Sequence, residues 1–145
     1  MQFHQTVNHL LSRVATAHRS RIEKRLAAIG IHSGQLAILF ELWKTDGRRQ
    51  VDLASELRLA PPTINKTLTG MIDLGLVTRE RLEDDARSTR IFLTDAGEQM
   101  RQVIEAEWLE IEEEMLTALT ETERLILFDL LTKLKHFYFG TEPEE

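Results

Sequence analysis

The apolar residues near the N-terminus recur at the spacing of a helix that packs along one stripe. They follow one another at intervals of four and three residues: Phe3, Val7, Leu10, Val14 and Ala17. Such a stripe is typical of a helix that lies against another helix. We therefore predict a long first helix that ends at Gly30, because glycine is common just beyond the last turn of a helix.

The next part of the chain predicts three more helices and a hairpin. In order these are a helix from His32 or Ser33 to a turn at residues 45–47, a short helix over 51–58, a helix from Pro62 to Gly75 after a break at 59–61, and extended runs at 77–82 and 87–93. Proline is accepted at the start of a helix, where the N–H that it lacks has no partner. The two extended runs flank a polar turn and therefore predict a β-hairpin.

Two long helices are predicted to follow the hairpin. Thr94 is suited to cap the fifth helix, and Thr120 and Glu123 form a capping box at the start of the sixth. The sixth helix is apolar on nearly all sides, so it needs burial that a second subunit supplies. We predict a mainly α fold with a small β-hairpin wing, in which a winged helix-turn-helix domain is joined to a helical dimerisation region.

Charge is distributed unevenly along the 145 residues. The formal net charge is −6, but residues 1–50 carry +5 and residues 91–145 carry −10. A chain polarised in this way can present its basic part to phosphates and keep its acidic part remote. Cysteine is absent, which excludes disulfides and thiolate metal sites within this sequence. With no apolar run long enough to cross a membrane and no secretory signal, we expect a cytoplasmic protein with no membrane partner.

The helix that begins at Pro62 carries the first group of candidate DNA-binding residues. Once the apolar residues are assigned to the core, its outer face is left with Pro62, Thr63, Asn65, Lys66, Thr67 and Thr69, and all of these except Thr69 are candidate contacts. A helix with such a face fits the major groove, where Asn65 would read an adenine edge and Thr63 and Lys66 would meet phosphates or bases. The alternative is an ordinary amphipathic helix.

The hairpin carries the second group. Four arginines crowd its two strands, Arg79, Arg81, Arg87 and Arg90, and acidic residues occupy its turn. An arginine at the tip of such a wing can enter the minor groove, and a neighbouring aspartate can hold its guanidinium in place. Asp85 and Arg87 are suited to these roles, and Arg90 is a further candidate contact. The alternative is a solvated charged hairpin without a function.

At this point the sequence resembles the MarR-type transcriptional regulators. Residues 85–97 have the wing pattern of that family, D-x-R followed by an apolar residue, L-T and a later G. Residues 62–68 resemble its recognition helix, residues 74–77 the link to the wing, and residues 30–35 the opening of its second helix. The sequence departs from the family at His32, where threonine is usual, and at Lys66, where arginine is common.

The resemblance implies a single MarR-like domain that forms a homodimer. Residues 1–31 and 96–145 would be the helical dimerisation region, and residues 32–95 the winged helix-turn-helix region. Such dimers bind pseudo-palindromic operators in double-stranded DNA, usually as repressors. Many release DNA when a small effector, often an aromatic or lipophilic anion, enters a cleft lined by the first, second and fifth helices.

Three other functions are alternatives to DNA-dependent regulation. We do not expect an enzyme or a cofactor, because the sequence has no cysteine nucleophile, glycine-rich phosphate loop or His-x-x-x-His pair. A zinc-responsive regulator of the same fold stays open, since five histidines could join carboxylates across elements; we assign no metal ligands, however. A helical dimer that does not bind DNA is the third alternative.

Overall fold

The structure of the protein, a computed structural model, describes residues 2–81 and 89–140. The helices in these residues are α1 (Val7–Ala28), α2 (Ser33–Lys44), α3 (Gln50–Glu56), α4 (Pro61–Asp73), α5 (Asp95–Leu116) and α6 (Glu121–Phe139), and the strands are β1 (Arg48–Arg49), β2 (Val77–Arg81) and β3 (Thr89–Leu93). A 3₁₀ turn, Phe3–Gln5, precedes α1. The predicted mainly α fold with its small hairpin is confirmed.

The main differences from the prediction lie around the two short helices. The helix α3 begins at Gln50 and ends at Glu56, and α4 begins at Pro61 instead of Pro62. Both prolines lie in the first turn of α4, where their missing N–H groups break no helical hydrogen bond. The strand β1 was not predicted, because two residues are too short to show an alternation of apolar and polar side chains.

The three strands form one antiparallel sheet in the order β1-β3-β2. In this sheet Arg48 lies opposite Ile91, and Val77 lies opposite Leu93. The short strand β1 therefore ties the start of α3 to the base of the hairpin. Since β3 is central, it pairs with β2 within the hairpin and with β1 on its other side.

One apolar core in residues 1–108 holds the helices and the sheet together. Its most deeply buried side chains are Leu26, Ile31, Ile38, Leu39, Leu42, Leu53, Ile64, Leu68, Met71, Val77 and Ile91. They come from α1 to α4, from β2 and β3, and from the loop before α2. Because α4 contributes one side to this shared core, its opposite side is left exposed in a fixed orientation.

A close backbone junction joins the start of α5 to the segment between α4 and β2. The Thr94 hydroxyl donates a hydrogen bond to the Gly75 carbonyl, and its oxygen accepts the Gly97 N–H at 3.1 Å. The predicted capping role of Thr94 is thereby confirmed. The Trp43 indole N–H also donates to the Gly97 carbonyl, at 3.2 Å. The first turn of α5 is therefore bound both to α2 and to the segment between α4 and β2.

The backbone packs into two compact units, residues 1–108 and 109–145. In the second unit the predicted capping box is present, since Glu123 accepts the Thr120 N–H at 2.8 Å and the Thr120 side chain accepts the Glu123 N–H at 3.3 Å. The hydrogen bond from the Thr120 backbone, with a smaller contribution from its side chain, lowers the pKa of Glu123. The Glu123 carboxylate therefore stabilises the first turn of α6 at pH values above the ordinary carboxyl pKa of the unfolded chain. This stabilisation is lost as the pH falls through the lowered pKa of the folded state.

None of the residues of α6 is buried within this chain. Large apolar side chains are exposed along it, among them Phe128 at 75% and Phe137 at 80%. In the described part of the chain no single helix has both the length and the apolar content to cross a membrane; α1 and α2 pass that test only when they are taken together across an 81° bend.

Candidate nucleic-acid interface

The polar face of α4 points away from the core. Ile64, Leu68 and Met71 are buried on the inner side of the helix. The outer side is formed by the exposed residues Pro62, Thr63, Asn65, Lys66 and Thr69. The sequence therefore assigned the two sides of this helix correctly except at Thr67, and the other four predicted contact residues on α4 are exposed.

Thr67 is half-buried, unlike the other predicted contact residues of α4. Its methyl group lies 3.9 Å from the position that a Cβ at Gly34 would occupy, so it faces the start of α2. The Thr67 hydroxyl donates to the Thr63 carbonyl at 3.0 Å, and the Thr69 hydroxyl donates to the Asn65 carbonyl at 2.9 Å. The hydroxyl protons of both threonines are therefore used inside the helix.

The helix α2 and the turn that follows α3 hold α4 in position. Gln35 of α2 is buried, and its Oε1 accepts the His32 N–H at 3.0 Å. Its Nε2 lies 3.5 Å from the position of a Cβ at Gly70, so this side chain of α2 lies against α4. The turn from α3 to α4 contains Arg58, the single non-glycine residue with a positive φ (52°) among the described residues. This left-handed residue lets the chain reverse between the two helices.

The base of the hairpin contacts the exposed face of α4 through one side chain. Nη2 of Arg79, on β2, donates a hydrogen bond to Oδ1 of Asn65 at 3.2 Å. Both residues are exposed. The sequence placed Arg79 among the hairpin arginines but not among the contact residues. The alternation of Val77, Arg79 and Arg81 on one side of β2 is the signal that could have placed it on the α4 side.

Arg90 has a different position from the one expected of a wing contact. It lies on β3 opposite Arg49 and Glu80, is half-buried, and donates to the Gly47 carbonyl at 2.8 Å. This contact ties β3 to the turn after α2. A contact between Arg90 and DNA stays a prediction. The predicted pair of Asp85 and Arg87 lies outside the described residues.

Several basic residues of the N-terminal part are paired with carboxylates. Arg48 contacts Glu41, and Arg49 binds both oxygens of Asp52 at 2.8 and 3.0 Å. The side-chain hydrogen bond from Arg49 is the main reason that the pKa of Asp52 is lowered. These pairs reduce the positive surface that the charge count assigned to residues 1–50. The cations left at the exposed face are those of α4 and β2: Lys66, Arg79 and Arg81.

A cavity of about 570 Å³ opens beside the winged domain, between α2, α3 and α5. Phe40 and Trp43 line it, and their rings are edge to face with the ring centroids 5.7 Å apart. Two ion pairs also line it, Lys44 with Glu41 at 3.2 Å and Arg101 with Glu105 at 3.0 Å. Among the described residues no three histidine, aspartate or glutamate side chains are grouped to hold a metal ion, so the zinc-responsive alternative gains no support there.

The chain is similar to known HTH-type and MarR-type transcriptional regulators. Residues 31–89 match the model of the MarR family. YdgJ of Bacillus subtilis (strain 168), an uncharacterized HTH-type transcriptional regulator, is 28% identical over 110 residues, which are 76% of this chain and 67% of that protein. A MarR transcriptional regulator from Methanosarcina mazei Go1 has a TM-score of 0.68 at 26% identity, covering 88% of this chain and 92% of its own.

Structures of S. aureus MepR mutants have the same fold. One has a TM-score of 0.80 at 24% identity, covering 89% of this chain and 96% of its own. Another, bound to an oligodeoxyribonucleotide, has a TM-score of 0.69 at 24% identity, with 89% and 95% covered. The winged-helix fold expected from the sequence is therefore confirmed.

Proposed function

We propose that this chain, which is similar to the MarR family over residues 31–89, is a MarR-type transcriptional regulator and acts as a homodimeric, ligand-responsive repressor on a pseudo-palindromic operator. In this proposal α4 enters the major groove of double-stranded DNA. Thr63, Asn65 and Lys66 contact bases and phosphates there. Asp85 and Arg87 form the wing contact in the minor groove.

The exposed face of α4 carries the proposal. Residues 61–72 contain no acidic side chain, and the exposed cations nearest to this face are Lys66 and the arginines of β2. Phosphate contacts provide most of the affinity of such an interface, and base contacts provide its specificity. The MepR mutant bound to an oligodeoxyribonucleotide supports the same use of this fold.

Exposed apolar side chains support the homodimer. Phe3, Val7, Leu10 and Val14 are all more than half exposed in this chain, and so are Phe128, Phe137 and Tyr138 of α6. Monomeric soluble proteins rarely expose so many large apolar side chains together. A second copy of this chain carries the same apolar side chains, so two copies can bury them against each other. Obligate dimer interfaces are apolar in this way.

The cavity between α2, α3 and α5 is the proposed effector site. It offers the rings of Phe40 and Trp43 to an aromatic ligand and the exposed cations Lys44 and Arg101 to an anion. Each cation is paired with a carboxylate of the same cavity, so an anionic effector competes with that carboxylate for the cation. The sequence placed this cleft along α1, α2 and α5, whereas Leu57, the residue after α3, lines the observed cavity.

Selection of bound sequences from random duplex DNA tests the proposed function. The recovered sites should have dyad symmetry, with half-site centres about 10 base pairs apart, because two α4 helices of a dimer enter successive major grooves. Affinity for the recovered site should fall steeply between low and moderate salt, because bound phosphates release counterions. Recovery of asymmetric sites, or an affinity that does not depend on salt, would contradict the proposal.

A further inference from the structure

The hydrogen bond between Arg79 and Asn65 joins the wing to the helix that faces the major groove. It is the contact that the structure gives for the Arg79 guanidinium among the described residues, and its acceptor is an uncharged amide. An exposed hydrogen bond or ion pair of this kind contributes little to the stability of a protein. Its position suggests a role in recognition instead.

The position of Arg79 on β2 explains how its side chain reaches α4. Arg79 lies opposite Ile91 in the antiparallel ladder, and Ile91 is completely buried. Residues that are opposite each other on two strands share one face of the sheet. The aliphatic part of Arg79 can therefore lie over the edge of the core while its guanidinium reaches Asn65. The sheet holds this arginine in place independently of DNA.

The chemistry of the two groups determines which way the Asn65 amide is turned. A guanidinium has only donors, so it can bind Oδ1 of Asn65 and not the Nδ2 amide group. With Oδ1 held by Arg79, the amide group and the second lone pair of Oδ1 stay available to a base. In the major groove adenine presents an acceptor at N7, which matches the Nδ2 amide group of Asn65. It also presents a donor at N6, which matches the free lone pair of Oδ1.

We propose that Arg79 is a specificity-determining residue, which holds the Asn65 amide in the orientation that reads adenine. This inference rests on the proposed function, in which α4 enters the major groove. Without Arg79 the terminal torsion of asparagine has two broad minima, and one of them exchanges the oxygen and nitrogen positions. In that exchanged orientation the amide no longer matches adenine, so preference at one base position should weaken.

The experiment uses the full-length protein and the operator recovered by selection, together with duplexes that carry each single base-pair change. Titrations of the parent and of Asn65→Ala identify the position that Asn65 reads. Arg79→Ala should reduce the preference for adenine at that same position roughly twofold, because about half of the Asn65 amides are then in the exchanged orientation. In the double variant Arg79→Ala should cause no further loss of preference, because the amide that it orients is gone.

Two further variants separate the hydrogen bond from the charge. Arg81 is exposed two residues further along the same strand and has no hydrogen bond to Asn65, so Arg81→Ala is the matched control. It should weaken binding to all duplexes equally. Arg79→Gln keeps a donor without the charge and should restore part of the adenine preference while the overall affinity stays low.

The results distinguish this inference from the proposed function. If Arg79→Ala lowers the affinity for all duplexes by the same factor as Arg81→Ala does, the inference is overturned and the proposed function stands. If the parent itself has no sequence preference, both are overturned. All variants should keep the melting temperature of the parent, since both arginines are exposed.

Discussion

Replacing Gly97 by alanine is expected to lower the free energy of unfolding by about 3 kcal/mol, which corresponds to a fall of roughly 10 °C in melting temperature. A Cβ at this position would lie 2.1 Å from the Leu76 carbonyl oxygen and 3.1 Å from its carbonyl carbon. Backbone atoms cannot move aside as the end of a flexible side chain can. Either α5 or the segment before β2 therefore has to shift, and the Thr94 and Trp43 contacts at this junction shift with it.

Gly34→Ala is the matched control for Gly97→Ala. Gly34 also lies in a helix, but the nearest atom to its added Cβ would be a Thr67 methyl carbon at 3.9 Å, an ordinary contact. Its stability should be unchanged or slightly raised, because alanine favours the helix more than glycine does. Thermal unfolding of both variants at one protein concentration makes the comparison. Equal stability of Gly97→Ala and the parent would show that the junction is not as close as described.

Replacing Phe128 by aspartate is expected to dissociate the proposed dimer. Phe128 is 75% exposed in this chain, so the charge costs little within one subunit. In the proposed dimer each subunit would lose one buried phenylalanine and gain one buried charge. At about 1.5–3 kcal/mol for each lost phenylalanine, the dimer dissociation constant should rise roughly a hundredfold to ten-thousandfold. Light scattering or sedimentation over a range of concentrations measures this change.

Thr122→Asp provides the control for Phe128→Asp. Thr122 is exposed in the first turn of the same helix, where a negative charge is favourable. This variant should stay dimeric and as stable as the parent. If Phe128→Asp also keeps the dimer dissociation constant of the parent, α6 does not form the interface that the exposed side chains suggest.

The sequence predicted correctly the ends of those helices that a nearby glycine or capping threonine determines. Gly75 has a φ of 73° beyond the end of α4, and Thr94 and Thr120 bind the N–H groups of the helices that follow them. The inner and outer sides of α4 were also assigned correctly apart from Thr67, because its apolar residues recur at helical spacing. These features depend on neighbours within four residues, which a sequence displays directly.

The features that the sequence did not predict depend on distant partners. The strand β1 exists because Arg48 and Arg49 pair with β3, about forty residues later. The contact of Arg90 with Gly47 and that of Arg79 with Asn65 depend in the same way on how the hairpin lies on the helices. The glycine of the wing motif is a further case, since Gly97 is needed for a close approach of two backbones and not for a contact with DNA.

The central claim is that the exposed face of α4 reads a specific DNA sequence. It is tested most directly by titrating the parent and Asn65→Ala against the selected operator and a scrambled duplex of the same length and composition. The parent should bind the operator at least a hundredfold more tightly than the scrambled duplex, on the order of the smaller specificity ratios of such regulators. Asn65→Ala should lose much of that ratio while its affinity for the scrambled duplex stays the same. Equal affinity of the parent for the two duplexes would contradict the account.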